Sequence, residues 1–148
     1  MHEEWQAGLA RRLIDTAQVI QPAINLVEGI IGREGTGFQR GRNRPVGLTV
    51  AGRNMVTVDS VASYLMGFNP QQLVYLNMAA KAGLGLNDLT QIRIFKVLNG
   101  RLIPCYDVAA LRLQPPFRVI SGIAGEEPNI FTYENLARTD PIDQKVVA

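Results

Sequence analysis

The residues able to do chemistry in this sequence gather in one stretch, EGIIGREGTGFQRGRNRP from Glu28 to Pro45, and its immediate flank. Glycines at 29, 32, 35, 37 and 41 let a backbone take positive φ and turn amide N–H groups toward a ligand, as phosphate-cradling nests do. Five arginines, Arg33, Arg40, Arg42, Arg44 and Arg53, fall within 21 residues, and a planar guanidinium makes forked bonds to carboxylate or phosphate. The stretch reads as an anion site or as a docking surface for an acidic partner. Its candidate ligand-binding residues are Gly29, Arg33, Glu34, Gly35, Gly37, Arg42 and Arg44, joined by Arg53 and Asn54 at the next strand-to-helix turn. The plain alternative is a surface excursion kept soluble by arginine. Loops longer than roughly 12 to 15 residues are uncommon unless functional or disordered.

Spacing excludes two familiar nucleotide motifs. The pattern G-x-x-G-x-G is neither the dinucleotide fingerprint G-x-G-x-x-G nor a P-loop, and the stretch leads into a strand, so the helix dipole that both motifs use is missing. Two carboxylates stand out beside it. Glu28 is expected to close a buried strand, where an acid is costly unless it binds a cation, pairs with an arginine or accepts backbone hydrogen bonds. Asp59 is placed in the first turn of a helix, where its charge complements the dipole. As a pair they are the candidate catalytic residues, for proton transfer or a divalent cation, although sequence does not fix their separation. Their plain readings are an internal salt bridge for Glu28 and helix stabilisation for Asp59.

The remaining reactive types offer less. His2, the one histidine, lies at the extreme N-terminus, and Cys105 has no base near it in sequence, so neither a Ser-His-Asp nor a Cys-His set can be assembled. No metal ligand set is expected, and one cysteine cannot hold an iron–sulfur cluster or a structural zinc. Nucleic acid is an unfavoured partner, because the arginines are confined to one loop and only Phe38 is interleaved with them.

Positioning these residues falls to alternating helices and strands. Trp5, Leu9, Leu13, Ala17 and Ile20 recur at helical spacing ahead of Pro22, predicting an amphipathic helix that lies on a sheet. Residues 23–27 and 46–51 read as buried strands. Val58, Val61, Ala62, Leu65 and Met66 mark a helix stopped by Gly67, and Asn69-Pro70 starts another that runs to about Lys81 and stops at Gly83. Residues 91–97 alternate as a third strand, Asn99-Gly100 is a hairpin dipeptide that turns residues 102–106 back, and residues 117–120 suit one more strand. The fold class is α/β, a small layered parallel or mixed sheet with helices packed on it, in one domain over residues 1–114 with a partly irregular extension over 115–148. A length of 148 residues, 47% hydrophobic and 19% charged, suits one globular domain. No apolar run approaches the roughly 18 residues of a membrane span and the N-terminus carries no signal pattern, so a cytoplasmic location is expected.

The segments INLVEGIIGREGTG and VGLTVAGRNMVTVDSVASYLMGFNPQQLVYLNMAAKAGLG carry a resemblance. In order, Glu28-Gly29, Glu34-Gly35-Thr36-Gly37, Asp59, Met66-Gly67-Phe68-Asn69-Pro70 and Gly83-Leu84-Gly85 are similar to the C-terminal half of the domain-of-unknown-function family 362, over a core of residues 23–96. Members are often found beside ferredoxin-like iron–sulfur modules. The resemblance implies half of a larger domain, completed by a second chain or by an iron–sulfur partner, with a cofactor or small anionic ligand of unknown identity. It leaves open whether the chain is a fragment or a degenerate relative. Glu28 departs from the family's aspartate and Phe38 from a common proline.

Overall fold

A computed structural model of the protein describes residues 2–35 and 41–118. Its elements run α1 (His2–Val19), β1 (Asn25–Glu34), β2 (Arg42–Gly52), α2 (Met55–Leu65), α3 (Val74–Lys81), β3 (Phe95–Leu98) and β4 (Arg101–Pro104), with single 3-10 turns at Pro70–Gln72, Leu89–Gln91 and Ala109–Leu111. The α/β class stands. Among the described residues the strands form two antiparallel pairs, β1 with β2 and β3 with β4, in place of the parallel or mixed sheet expected. Chain connectivity explains the direction: strands joined by a short link pair antiparallel, whereas parallel pairing needs a crossover of a dozen residues or more.

The main correction concerns the glycine- and arginine-rich stretch. Glu28 through Glu34 belong to β1 and Arg42 through Pro45 to β2, so most of the expected loop is the distal half of a long hairpin. The ladder runs from Asn25 opposite Gly52 to Glu34 opposite Arg42, with an irregularity between Gly29 and Ile31. Glycine misled the reading because in a strand it marks close approach as well as turning. At Gly32 an added Cβ would overlap the Phe117 ring.

Alternation sets the hairpin's two faces. Val27, Val46, Leu48 and Val50 are half-buried on the side of α2, whose Val58 side chain lies against Gly52. The opposite face leaves Leu26, Ile30 and Ile31 each at least 60% exposed. These strands are therefore not the doubly buried ones expected.

Helix α2 is central. Val56, Val58, Ser60, Val61, Ala62, Ser63 and Leu65 are all buried, a distribution around the whole cylinder that belongs to a core helix. Asn54 caps it, its side chain accepting from the Thr57 amide at 2.9 Å while its own amide donates to the Leu84 carbonyl at 2.6 Å. Gly67 (φ 103°) ends it. Asn69 starts the next segment as expected, accepting from the Gln71 amide at 3.0 Å, but that segment breaks at extended Leu73 before resuming as α3. Val56, Leu76 and Ala79 form the core cluster, with Ile14, Met55, Leu73, Tyr75 and Leu84 against it. Helix α1 packs chiefly on α3 instead of on a sheet.

Beyond Gly83 the expected third strand starts late. Asp88 accepts hydrogen bonds from the Thr90 amide and hydroxyl and from the Gln91 side chain, and these local bonds hold residues 89–91 in a 3-10 turn, leaving β3 to begin at Phe95. Asn99 (φ 51°) and Gly100 (φ 74°) make the expected two-residue turn into β4. Both strands of this second hairpin are exposed throughout. The chain then returns along the end of α2, where the Leu113 amide donates to Leu65 at 2.8 Å and the Phe117 amide to Met66 at 2.8 Å. Phe117 and Arg118 are not in a strand; residues 119–120, like most of the 115–148 extension, lie outside the described residues.

Candidate functional site

Three candidate residues of the glycine–arginine stretch converge at the distal end of the β1–β2 hairpin, with a partner that sequence reasoning missed. Glu34 is 4% exposed and Arg44 3%. Their side chains pair at 3.2 Å, and Arg118 closes the other side of the same carboxylate, Nη2 at 2.9 Å, Nε at 3.1 Å and its backbone amide at 3.2 Å. Arg44 also donates to the carbonyls of Pro116 (3.0 Å) and Pro115, and its guanidinium lies 5.2 Å from the centroid of the Phe117 ring. Gly35 donates its amide to the Arg118 carbonyl at 2.7 Å. The carbonyls of Pro115 and Pro116 add acceptors to the Arg44 guanidinium beside the carboxylate. This cluster binds the chain to itself, so the Arg44 and Glu34 charges face inward. Arg118 had no signal in sequence, because its partner stands 84 positions away.

The other arginines of the stretch point elsewhere. Arg33 is exposed and donates to Asn43 at 2.8 Å across the ladder; Arg42 is exposed on the paired strand. Gly37 and Arg40 lie outside the described residues. Arg53 and Asn54 line a polar cleft of about 370 Å³ with Gln21, Asn25 and Leu84, where the Asn25 amide donates to the Arg53 carbonyl at 3.1 Å and both ends of the Asn54 amide are engaged.

The two candidate carboxylates are not brought together. Glu28 is exposed on the outward face of β1, not at a buried strand end; it accepts from the Ile30 amide at 2.5 Å, the backbone-bonded alternative, and pairs with no arginine among the described residues. Asp59 is the fifth residue of α2 and not in its first turn, so the dipole argument does not apply. Asp59 lines a second, mostly apolar cleft of about 250 Å³ formed by Leu13, Ile14 and Ile20 of the α1 segment, Met55 and Val56 of α2, and Tyr75, Leu76 and Ala79 of α3. Burial holds its carboxyl above the ordinary 3.8, and a hydrogen bond from Tyr75 offsets part of the rise. Burial, then the Asp59 charge, push the Tyr75 hydroxyl up from 10.0 to about 12, with hydrogen bonding from the Ser63 hydroxyl acting the other way. The phenol is thereby a neutral donor to Asp59, and Asp59 is a half-buried acid with an apolar cavity beside it.

Among the described residues no group of three or more His, Cys, Asp or Glu side chains stands close enough to hold a metal ion. No described helix is long and apolar enough to cross a membrane. Cys105 is buried, its thiol 3.6 Å from the Asp107 carbonyl.

Comparison with known proteins follows this geometry in part. Residues 1–64 match the profile of a family described as a domain of unknown function, DUF362. The match takes in α1, which the expected core of residues 23–96 left out, and ends at Tyr64, short of the Met66–Pro70 and Gly83–Gly85 segments. A thylakoid-associated protein of Synechocystis sp. is 35% identical over 89 residues, which are 60% of this chain and 27% of that protein. The chain thus spans about a quarter of the length of this curated relative. No solved structure matches the chain.

Proposed function

We propose that this chain is a protein-interaction module, a member of the DUF362 family, whose β1–β2 hairpin docks against the remainder of the family domain. The observation that carries the reading is the hairpin's outward face: Leu26 (62% exposed), Ile30 (63%) and Ile31 (60%) stand together on a two-stranded sheet. Two-stranded sheets with an uncovered apolar face are marginal alone, and larger exposed apolar patches mark interaction sites. A partner of complementary shape, apolar at its centre, would turn this pair into the layered sheet that the α/β pattern demands.

The relative's further length, of which this chain shares 27%, supplies family sequence able to cover that face. Whether this chain corresponds to the C-terminal half of the family domain belongs to the proposal. The Glu34 cluster takes Arg44 out of the anion-binding reading and leaves Arg33 and Arg42 exposed, which favours docking over ligand capture by Arg44. Arg33 on the docking face would meet an acidic group of the partner. Iron–sulfur chemistry, where the family association implies it, enters with that partner, because one buried cysteine cannot ligate a cluster. The cytoplasmic address read from the sequence stays part of this proposal.

The test is recovery of the chain, tagged, from its own cells beside a Leu26→Lys, Ile31→Lys variant. The wild type is expected in a complex with a polypeptide containing the rest of the family sequence. The variant should recover at least tenfold less of it, with unchanged amide protection in α2 and α3. A wild type recovered alone, or a variant that keeps the partner, overturns the docking face.

A further inference from the structure

The helical cleft carries a different inference, independent of the hairpin. We propose that the cleft between α1, α2 and α3 is a binding site for a small organic ammonium ion, its apolar body between Leu13, Ile14, Ile20 and Ala79 and its charged head on Asp59. Neither the family match nor the relative's description assigns anything to this place.

Three observations converge. First, the cavity is real in size and mostly apolar in lining: at about 250 Å³ it falls just below the roughly 300–1,000 Å³ of drug-sized sites, which sets the ligand at one ring or a short alkyl chain. Second, Asp59 is the acidic group on its wall, half-buried on the central helix, and no ion pair between it and a basic side chain forms among the described residues. Tyr75 is a polar side chain that lines the cleft beside it, and a carboxylate offers roughly four lone-pair directions. Third, Tyr75 of α3 lines the same cleft as Asp59, so its ring is a wall of the cavity beside the carboxylate.

Charge complementarity then chooses the occupant. A carboxylate beside an apolar cavity is held in an unfavourable setting, and the group that relieves it must bring positive charge and several N–H donors while tolerating an apolar surround. A primary or secondary ammonium on a hydrocarbon body does this. A neutral alcohol offers one donor without charge, and a carboxylic acid ligand would bring like charge against Asp59. The aromatic face of Tyr75 adds a second favourable surface for a cation within the same cleft.

Glu34 shows why the inference stops at Asp59. That carboxylate is equally part of the interior, yet two guanidiniums and an amide already surround it and leave no room for a ligand.

The experiment is a titration of the full chain with n-hexylammonium, n-hexanol and hexanoate at equal ionic strength, read by amide chemical shifts and by melting temperature. Hexylammonium is expected to shift amides of α1, α2 and α3 around the cleft, and to bind at least tenfold tighter than hexanol and tighter still than hexanoate. Asp59→Asn, which keeps shape and removes charge, should abolish the preference while leaving hexanol binding within about twofold. Tyr75→Phe should keep the preference for the ammonium ion, because the charge remains. Equal affinity for all three probes would mean an apolar crevice only, and retained preference in the Asp59→Asn chain, or shifts confined to the hairpin, would place the cation elsewhere. Either result overturns the proposal. Should Asp59→Asn fail to fold, Asp59→Glu substitutes for it: loss of at least threefold for hexylammonium with hexanol unchanged is expected, and no change in either overturns the proposal.

Discussion

Glu34 and Asp59 both leave bulk water, and the chain treats them in opposite ways. Glu34 is enclosed by Arg44, Arg118 and a backbone amide, so its charge is compensated within the fold. Asp59 has one phenol and an open apolar cavity, and its carboxyl is held toward the protonated form. The contrast teaches that one arginine of the dense stretch, Arg44, serves a structural clamp, while the aspartate on α2 keeps no ion pair among the described residues. Buried charge is a sign of function only where its partners are incomplete.

Removing the carboxylate from the clamp should give the largest effect. Glu34→Ala leaves two guanidiniums buried without their counter-charge, a change that costs about 3–5 kcal/mol in buried pairs, and chemical denaturation should register it as a lowered midpoint. A loss under about 1 kcal/mol would erase the distinction, since Glu34 would then be as dispensable as a surface acid.

Alkaline titration probes the other side at smaller scale. Tyr75 ionises near 10.0 when unfolded and at about 12 when folded, so its contribution is complete below 10 and is lost as pH rises through about 12. Two pH units at about 1.4 kcal/mol each, discounted for partial exposure, leave about 1–2 kcal/mol in that window. Tyr75→Phe should flatten this arm of the stability curve, and an unchanged arm would show that the phenol is already solvated.

Asp59→Asn should have the smallest effect on stability at neutral pH, a gain within about 1 kcal/mol. Because the folded carboxyl titrates above 3.8, its contribution to stability is fully present below that value and is lost as pH rises through the folded value. The wild type should therefore gain relative to the Asn variant on acidification toward pH 3.8. If the two curves run parallel, Asp59 is not desolvated, and the contrast with Glu34 collapses.

Much of the local structure was legible because its causes are local. The Asn54 cap, the Asn69 cap and the Asn99-Gly100 turn are each made within three residues, and all three do in space what their types imply, while the second bond of Asn54, to Leu84, is non-local. What sequence hid is non-local. Gly32 looked like loop because nothing nearby announces that Phe117 needs the space over it, and Arg44 looked free because Arg118 and the Pro115 and Pro116 carbonyls arrive some 70 residues later. Asp59 was assigned to the first turn of its helix and lies beyond it, and whether that helix face meets solvent or Tyr75 depends on how α3 crosses it. The exposed face of β1 was misjudged for a related reason: Leu26 read as buried within the apolar run 23–27, and residue type alone does not report whether a covering layer is present.

The long reach from Glu34 to Arg118 also bears on the order in which a growing polypeptide can complete itself. A ribosome delivers the hairpin and all three helices before it delivers Pro115, Pro116, Phe117 and Arg118, so the hairpin tip emerges with Glu34 and Arg44 still wet and Gly32 still uncovered. Its far end can dry out only after the last of these residues clears the exit tunnel, which makes the 113–118 segment a late-arriving latch on translation-coupled folding.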